Sequence, residues 1–109
     1  MGLTKTELFT KEQNELADIA KVIGHPARLA IIQHLLKVNA CIGGEIVEHV
    51  PLAQPTISRH LKELKSVGII HGTIDGTSMS YCINGEKWKE IQTLFNQLFD
   101  TYQPSEKGC

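Results

Sequence analysis

The hydrophobic period of this chain changes from helical to two at Gly68, and that change constrains the fold more than any other feature. Before it, Ile57, Leu61, Leu64 and Val67 recur at steps of four and three. That spacing makes one apolar stripe on a helix of about 3.6 residues per turn. After it, Ile70, Gly72 and Ile74 alternate with His71, Thr73 and Asp75, and Met79, Tyr81 and Ile83 alternate with Ser80, Cys82 and Asn84. A period of two belongs to half-buried strands, and Asp75-Gly76 between the runs is a hairpin turn signal. An amphipathic helix therefore leads straight into a β-hairpin. Pro55 suits the first turn of that helix and Gly68 its C-terminal stop.

Upstream, residues 1–9 read as frayed or loosely docked. Thr10 and Gln13 form a capping-box pattern, and Leu16, Ile19, Ala20 and Ile23 then mark a first amphipathic helix. Gly24 ends it. Pro26 starts a second helix that runs to about residue 38 and is expected to bury Leu29, Ile32, Leu35 and Leu36. After a break at 39–44, in which Cys41-Ile42 reads as a short extended piece, residues 45–50 read as a short helix with Ile46, Val47 and Val50 inward. Pro51 closes it. A short helix, a tight turn and a helix with a polar outer face make a helix-turn-helix pattern. The last helix, about 86–102, carries Trp88, Ile91, Leu94, Phe95, Leu98, Phe99 and Tyr102 on one wide stripe. The fold class is thus mainly α with a small β-hairpin wing, a winged helix-turn-helix in the order α-α-α-α-β-β-α.

A chain of 109 residues fits one domain, here 1–109 with a loose tail after about 103. Its 41 % of hydrophobic residues supports a core, though a thin one. No apolar run approaches the roughly 20 residues needed to span a bilayer, and no signal peptide is visible; a cytoplasmic protein with no membrane partner is expected. The formal net charge of −1 excludes a generally basic nucleic-acid binder. DNA affinity must come from a local basic face, doubled if the chain dimerises. Three cysteines are too few for a disulfide scaffold.

With this order in place, the sequence resembles the arsenic-repressor (ArsR-type) family of bacterial winged-helix regulators. Gly24-His25-Pro26-Ala27-Arg28-Leu29 resembles the opening of that family's second helix. Gln54-Pro55-Thr56-Ile57-Ser58-Arg59-His60-Leu61, with Lys62-Glu63-Leu64 and Gly68-Ile69-Ile70, resembles its recognition helix. The likeness runs from about residue 10 to 102. It implies a homodimeric repressor that binds a palindromic double-stranded operator and releases it when an effector binds. No enzymatic activity is expected, since the sequence has no phosphate-cradling Gly loop, HExxH zinc motif or nucleophile elbow. Where members of the family often carry Ser, this chain has Ala53, which can neither cap the helix nor bond a phosphate.

By resemblance and by wheel position, Gln54, Thr56, Ser58, Arg59 and His60 are the candidate DNA contacts. Arg59 suits a bidentate bond to guanine or a phosphate clamp; His60 lies on the flank, where packing against the helix-turn-helix core is the equal alternative. Lys62 and Lys65 are placed for phosphates, and Thr77 and Ser78 at the wing tip offer hydroxyls but no cation. Ile91, Leu94, Phe95, Leu98, Phe99 and Tyr102 are the candidate dimer interface, because a domain this small has difficulty covering so much aromatic surface alone. A protein-docking winged helix without specific DNA binding is the alternative. It would show apolar residues where Thr56, Arg59 and Lys62 stand.

Metal-sensing relatives carry Cys-x-Cys at the start of the third helix, since soft thiolates bind As(III), Cd(II) or Pb(II). Here the stretch reads Cys41-Ile42-Gly43, and no His follows residue 86 to supply the zinc site of other relatives. No cofactor and no tightly bound metal are expected; a thiophilic metal would meet a degenerate site. Cys41 and Cys82 remain. If the extended piece pairs with the returning wing strand, they become a redox pair or half a metal site; the alternative is two half-buried small hydrophobes.

Overall fold

The computed structural model describes residues 5–73 and 79–105. In chain order it contains α1 (Lys5–Leu8), α2 (Lys11–Ile23), α3 (Pro26–Val38), a 3-10 turn (Gly44–Glu48), α4 (Gln54–Ser66), β1 (Ile70–Thr73), β2 (Ser80–Ile83) and α5 (Gly85–Asp100).

Local chemistry sets most boundaries. Thr10 Oγ1 accepts from the Gln13 N–H at 3.0 Å, and Gln13 Oε1 accepts from the Thr10 N–H at 2.9 Å. This reciprocal box opens α2. His25 caps α3 through Nδ1, which accepts from the Ala27 N–H, and Asn39 closes it in the left-handed region at φ 51°. Asn84 caps α5 by accepting from the Lys87 N–H. Two elements differ from expectation. Residues within 1–9 form the short α1. Residues 45–50 do not form an α-helix: the segment is a 3-10 turn over Gly44–Glu48. Glu45 folds back to accept from the Gly43 N–H through both carboxylate oxygens at 3.0 Å, and the His49 N–H donates to the Ile46 carbonyl in the tighter i→i+3 pattern.

The hairpin is antiparallel, with Ile70 opposite Ile83, His71 opposite Cys82, Gly72 opposite Tyr81 and Thr73 opposite Ser80. The turn read at Asp75-Gly76 lies outside the described residues. Gly72 sits at φ 131°, and any Cβ there would press into the Ser80 carbonyl and the Tyr81 Cα. Only glycine lets the strands cross this closely. On its outer side β2 meets one further piece of chain: Ile42 and Tyr81 exchange both backbone bonds, at 2.9 and 3.0 Å.

One core holds these parts together. Ile19 of α2, Ile31 and Leu35 of α3, Ile46 of the 3-10 turn, Ile57, Leu61 and Leu64 of α4, Ile69, Ile70 of β1 and Tyr81 of β2 are all fully buried in it. Helix α5 contributes Ile91 and lies over the cluster with Trp88, Leu94 and Phe95 half-buried. It is tied to α2 by the Lys87–Glu15 ion pair at 2.9 Å. Leu29, Leu36 and Val47, expected inward, are instead 45 %, 44 % and 39 % exposed. A 13-residue helix gripped on one side buries only the stripe that faces its neighbours, and in α3 Ile31, Ile32 and Leu35 take it. No described helix is long and apolar enough to cross a membrane.

Candidate nucleic-acid interface

Helix α4 is fixed chiefly by its C-terminal cap and its buried stripe. Its N-cap, Ala53, is extended and makes no side-chain cap bond; the Ala53 carbonyl accepts from the Thr56 and Ile57 N–H groups. At the other end, Gly68 at φ 82° completes a Schellman motif. The Ile69 N–H donates to the Leu64 carbonyl and the Gly68 N–H to the Lys65 carbonyl. With Ile57, Leu61 and Leu64 buried, rotation of the helix about its axis is fixed, and so is its outer face.

That outer face carries Gln54, Arg59 and Lys62 exposed, and Thr56 and Ser58 half-exposed. Gln54 Nε2 donates to Ser58 Oγ at 3.1 Å and lies 3.0 Å from Met79 Sδ, just before β2 at the turn end of the hairpin. Two of the candidate contacts are thus turned toward each other. Lys65 behaves differently from a solvated lysine: its ammonium donates to the Gly72 carbonyl at 2.6 Å and pins β1 to α4. Thr77 and Ser78, the wing-tip candidates, lie outside the described residues.

His60 does not join the outer face. It is 7 % exposed, and its Nδ1 accepts from Arg28 Nε at 3.0 Å. Arg28 also donates from Nη1 to the Val22 carbonyl at 3.1 Å, and the His25 and His60 rings lie 4.4 Å apart. One guanidinium therefore joins the end of α2, the start of α3 and the middle of α4. Burial above all, then the neighbouring His25, Arg28 and Arg59, pushes the His60 pKa below the ordinary histidine value. A neutral ring with Nδ1 accepting is the form this arrangement selects. Sequence reasoning gave Arg28 no role; its side chain bridges three helices, which no periodicity within one helix reveals.

The extended piece before the 3-10 turn brings the two cysteines together. Ile42 and Tyr81 form a hydrogen-bonded antiparallel pair, so the next residues, Cys41 and Cys82, form the non-hydrogen-bonded pair, where Cα atoms come closest. Their Cα atoms lie 4.3 Å apart and their sulfurs are joined in a disulfide. Soft-metal binding needs free thiolates in a set of three or four donors. Among the described residues no three His, Cys, Asp or Glu side chains are grouped to hold an ion. The side chains present do not fit the family's metal-thiolate chemistry. His34 and His49 stack with centroids 4.3 Å apart; burial, then His49 and Lys37, lower the His34 pKa, with Glu45 opposing.

Along α5, Leu98, Phe99 and Tyr102 just beyond its end are 56 %, 65 % and 75 % exposed. Leu94 and Phe95 are half-buried and Ile91 is buried against the core. Ile23, Leu29, Ile32, Ile69 and Trp88 join Ile91, Phe95 and Phe99 in lining one apolar depression.

Residues 25–71 match the profile of a bacterial regulatory protein family, the arsR family. The chain is 34 % identical over 88 residues to an uncharacterized HTH-type transcriptional regulator of Methanocaldococcus jannaschii, covering 81 % of this chain and 99 % of that protein. It is 32 % identical over 95 residues to the arsenical resistance operon repressor of Staphylococcus xylosus, covering 87 % of this chain and 86 % of that one. Among solved structures, the transcriptional repressor BigR from Xylella fastidiosa superposes with a TM-score of 0.59 at 25 % identity, over 87 % of this chain and 96 % of that chain.

Proposed function

The chain belongs to the arsR family of bacterial regulatory proteins, and we propose that it is a homodimeric, cytoplasmic repressor of its own operon, released from a palindromic operator by an effector. That it is a DNA-binding transcriptional regulator, and not an enzyme, follows from the family. The finer reading rests on one observation above the rest: the face of α4 opposite the buried Ile57, Leu61 and Leu64 presents Thr56, Arg59 and Lys62. A docking module would present apolar side chains there.

In this reading Arg59 and Thr56 address base edges in the major groove, and Gln54 and Ser58 address base edges or phosphates once turned outward. Lys62 adds phosphate attraction. Lys65 and His60 act from behind by fixing the hairpin and the helix. The described residues, gathered around one core, work as a single DNA-binding unit. The partner chain covers Leu98, Phe99 and Tyr102, with Ile91, Leu94 and Phe95 packed beneath. An apolar surface of this kind at the end of a long helix is what a two-fold interface buries.

Footprinting on DNA from the protein's own promoter tests the proposal. Two protected half-sites centred about one duplex turn apart, roughly 34 Å, are expected. A single protected site, or uniform coverage without sequence preference, contradicts it.

A further inference from the structure

We propose that the Cys41–Cys82 disulfide and the cavity beside it form a reaction site for low-molecular-weight thiols that bear a carboxylate, and that reduction there raises operator affinity. This rests on the reading of the chain as an operator-binding regulator.

Three observations converge. The cavity, about 410 Å³, is lined by both cysteines together with Leu35, Leu36, Trp88 and Lys89. It therefore offers an apolar floor, one ammonium and a reactive bond. Its volume is in the ordinary range for a small-molecule site. Cys41 is exposed, whereas Cys82 is half-buried in β2, so a nucleophile reaches the Cys41 sulfur more readily. And a disulfide in a protein that works on DNA stands in a compartment where thiols are kept reduced, where such bonds are transient or redox-sensing. Lys89 stands about 14 Å along the helix from Leu98, the first of the exposed apolar residues that the partner chain is proposed to cover.

The chemistry is thiol–disulfide exchange. A thiolate attacks Sγ of Cys41, the S–S bond breaks, and the electron pair leaves on Sγ of Cys82, which takes a proton from water. A second thiolate attacks the outer sulfur of the mixed disulfide and releases the free Cys41 thiol. Two small thiols are oxidised to one disulfide, and the protein disulfide is reduced to two thiols. Lys89 favours a thiol whose carboxylate it can pair.

The link to DNA runs through a short chain of contacts, one backbone bridge and then side chains. Cys41–Cys82 clamps the Ile42–Tyr81 bridge, which holds Gly43 against the Met79 carbonyl. Met79 in turn holds Gln54, which is bonded to Ser58. In the oxidised protein, polar groups at the start of α4 are engaged internally. Cleaving the disulfide loosens residues 41–43 against β2 and Met79 and frees these groups to face DNA.

The test uses the full chain with Cys109→Ser, so that only the pair can react, and L-cysteine and 2-mercaptoethanol as probes. Intact-mass and peptide analysis of the oxidised protein should show a mixed disulfide with L-cysteine on Cys41. Lys89→Glu should slow reduction by L-cysteine severalfold more than reduction by 2-mercaptoethanol, which also attacks as a thiolate but brings no carboxylate for Lys89 to pair. Operator binding should tighten about five- to 150-fold on reduction, the ordinary range of coupling between sites. Cys41→Ser and Cys82→Ser should each bind like the reduced protein and ignore oxidant. A disulfide inert to both thiols, equal slowing of both by Lys89→Glu, or equal operator affinity in the two redox states overturns the proposal. If neither redox state prefers operator to random DNA, the regulator reading fails, and the mass analysis still decides the thiol site.

Discussion

Arg28 donates from Nε to Nδ1 of His60 across 3.0 Å, and this bond couples the opening of α3 to the middle of the DNA-facing helix. A ring that accepts from a guanidinium cannot be protonated at that nitrogen without losing the bond and placing two cations side by side. The pKa of His60 is accordingly lowered, first by burial and then by His25, Arg28 and Arg59; that of His34 is lowered too. The unfolded chain then binds more protons than the folded one as the pH falls through the ordinary histidine value of about 6.5. The stability contributed by these rings is complete above that value and is lost below it. Urea midpoints should drop between pH 7.5 and 5.5, and His60→Gln, which keeps an acceptor but does not titrate, should flatten the dependence. A midpoint constant over this range, or an unchanged slope in the variant, contradicts the assignment.

Removing the Tyr81 hydroxyl should not harm the fold. The side chain is fully buried, and its oxygen finds no hydrogen-bond partner among the described residues. Burial keeps the phenol protonated by raising its pKa. A buried polar group left unpaired costs about 1–3 kcal/mol, while the ring supplies the packing. Tyr81→Phe should therefore leave thermal stability unchanged or raise it. A loss of more than about 1 kcal/mol would reveal a partner for the hydroxyl.

The dimer reading turns on exposed apolar residues late in α5. Leu98→Glu or Phe99→Glu places a charge where the partner chain is expected and should yield monomers at micromolar concentration in sedimentation velocity, with the helical circular dichroism preserved. Dimers that persist in both variants locate the interface elsewhere, for instance at the exposed Leu29 and Leu36 of α3.

Much of this architecture is legible in the sequence because it is written locally. The Thr10–Gln13 box, Pro26 and Gly68 mark element ends by their own chemistry, and the shift of period at Gly68 separates α4 from the hairpin. The nearness of Cys41 and Cys82 follows from a strand pairing that the winged-helix order implies. What periodicity cannot supply is which side of an apolar stripe finds a neighbour. Leu29, Leu36 and Val47 fit their helical patterns and are nonetheless exposed. Partners across the chain are equally invisible: Arg28 with His60, Lys65 with Gly72 and Gln54 with Met79 are separated by 32, 7 and 25 residues. The last two sit on residues that the wheel alone assigns to DNA.

The central claim is that the outer face of α4 reads an operator, and fluorescence-anisotropy titration of labelled promoter and random-sequence duplexes tests it most directly. Arg59→Ala should weaken promoter binding by roughly 1–3 kcal/mol and narrow the gap to random DNA, as expected for a bidentate base contact. Lys62→Ala should weaken both duplexes alike. With few cations on this face, the salt dependence should be shallow for a dimeric repressor. Promoter affinity unchanged by Arg59→Ala, in a protein that still discriminates promoter from random sequence, would contradict the account, for then another surface reads the DNA.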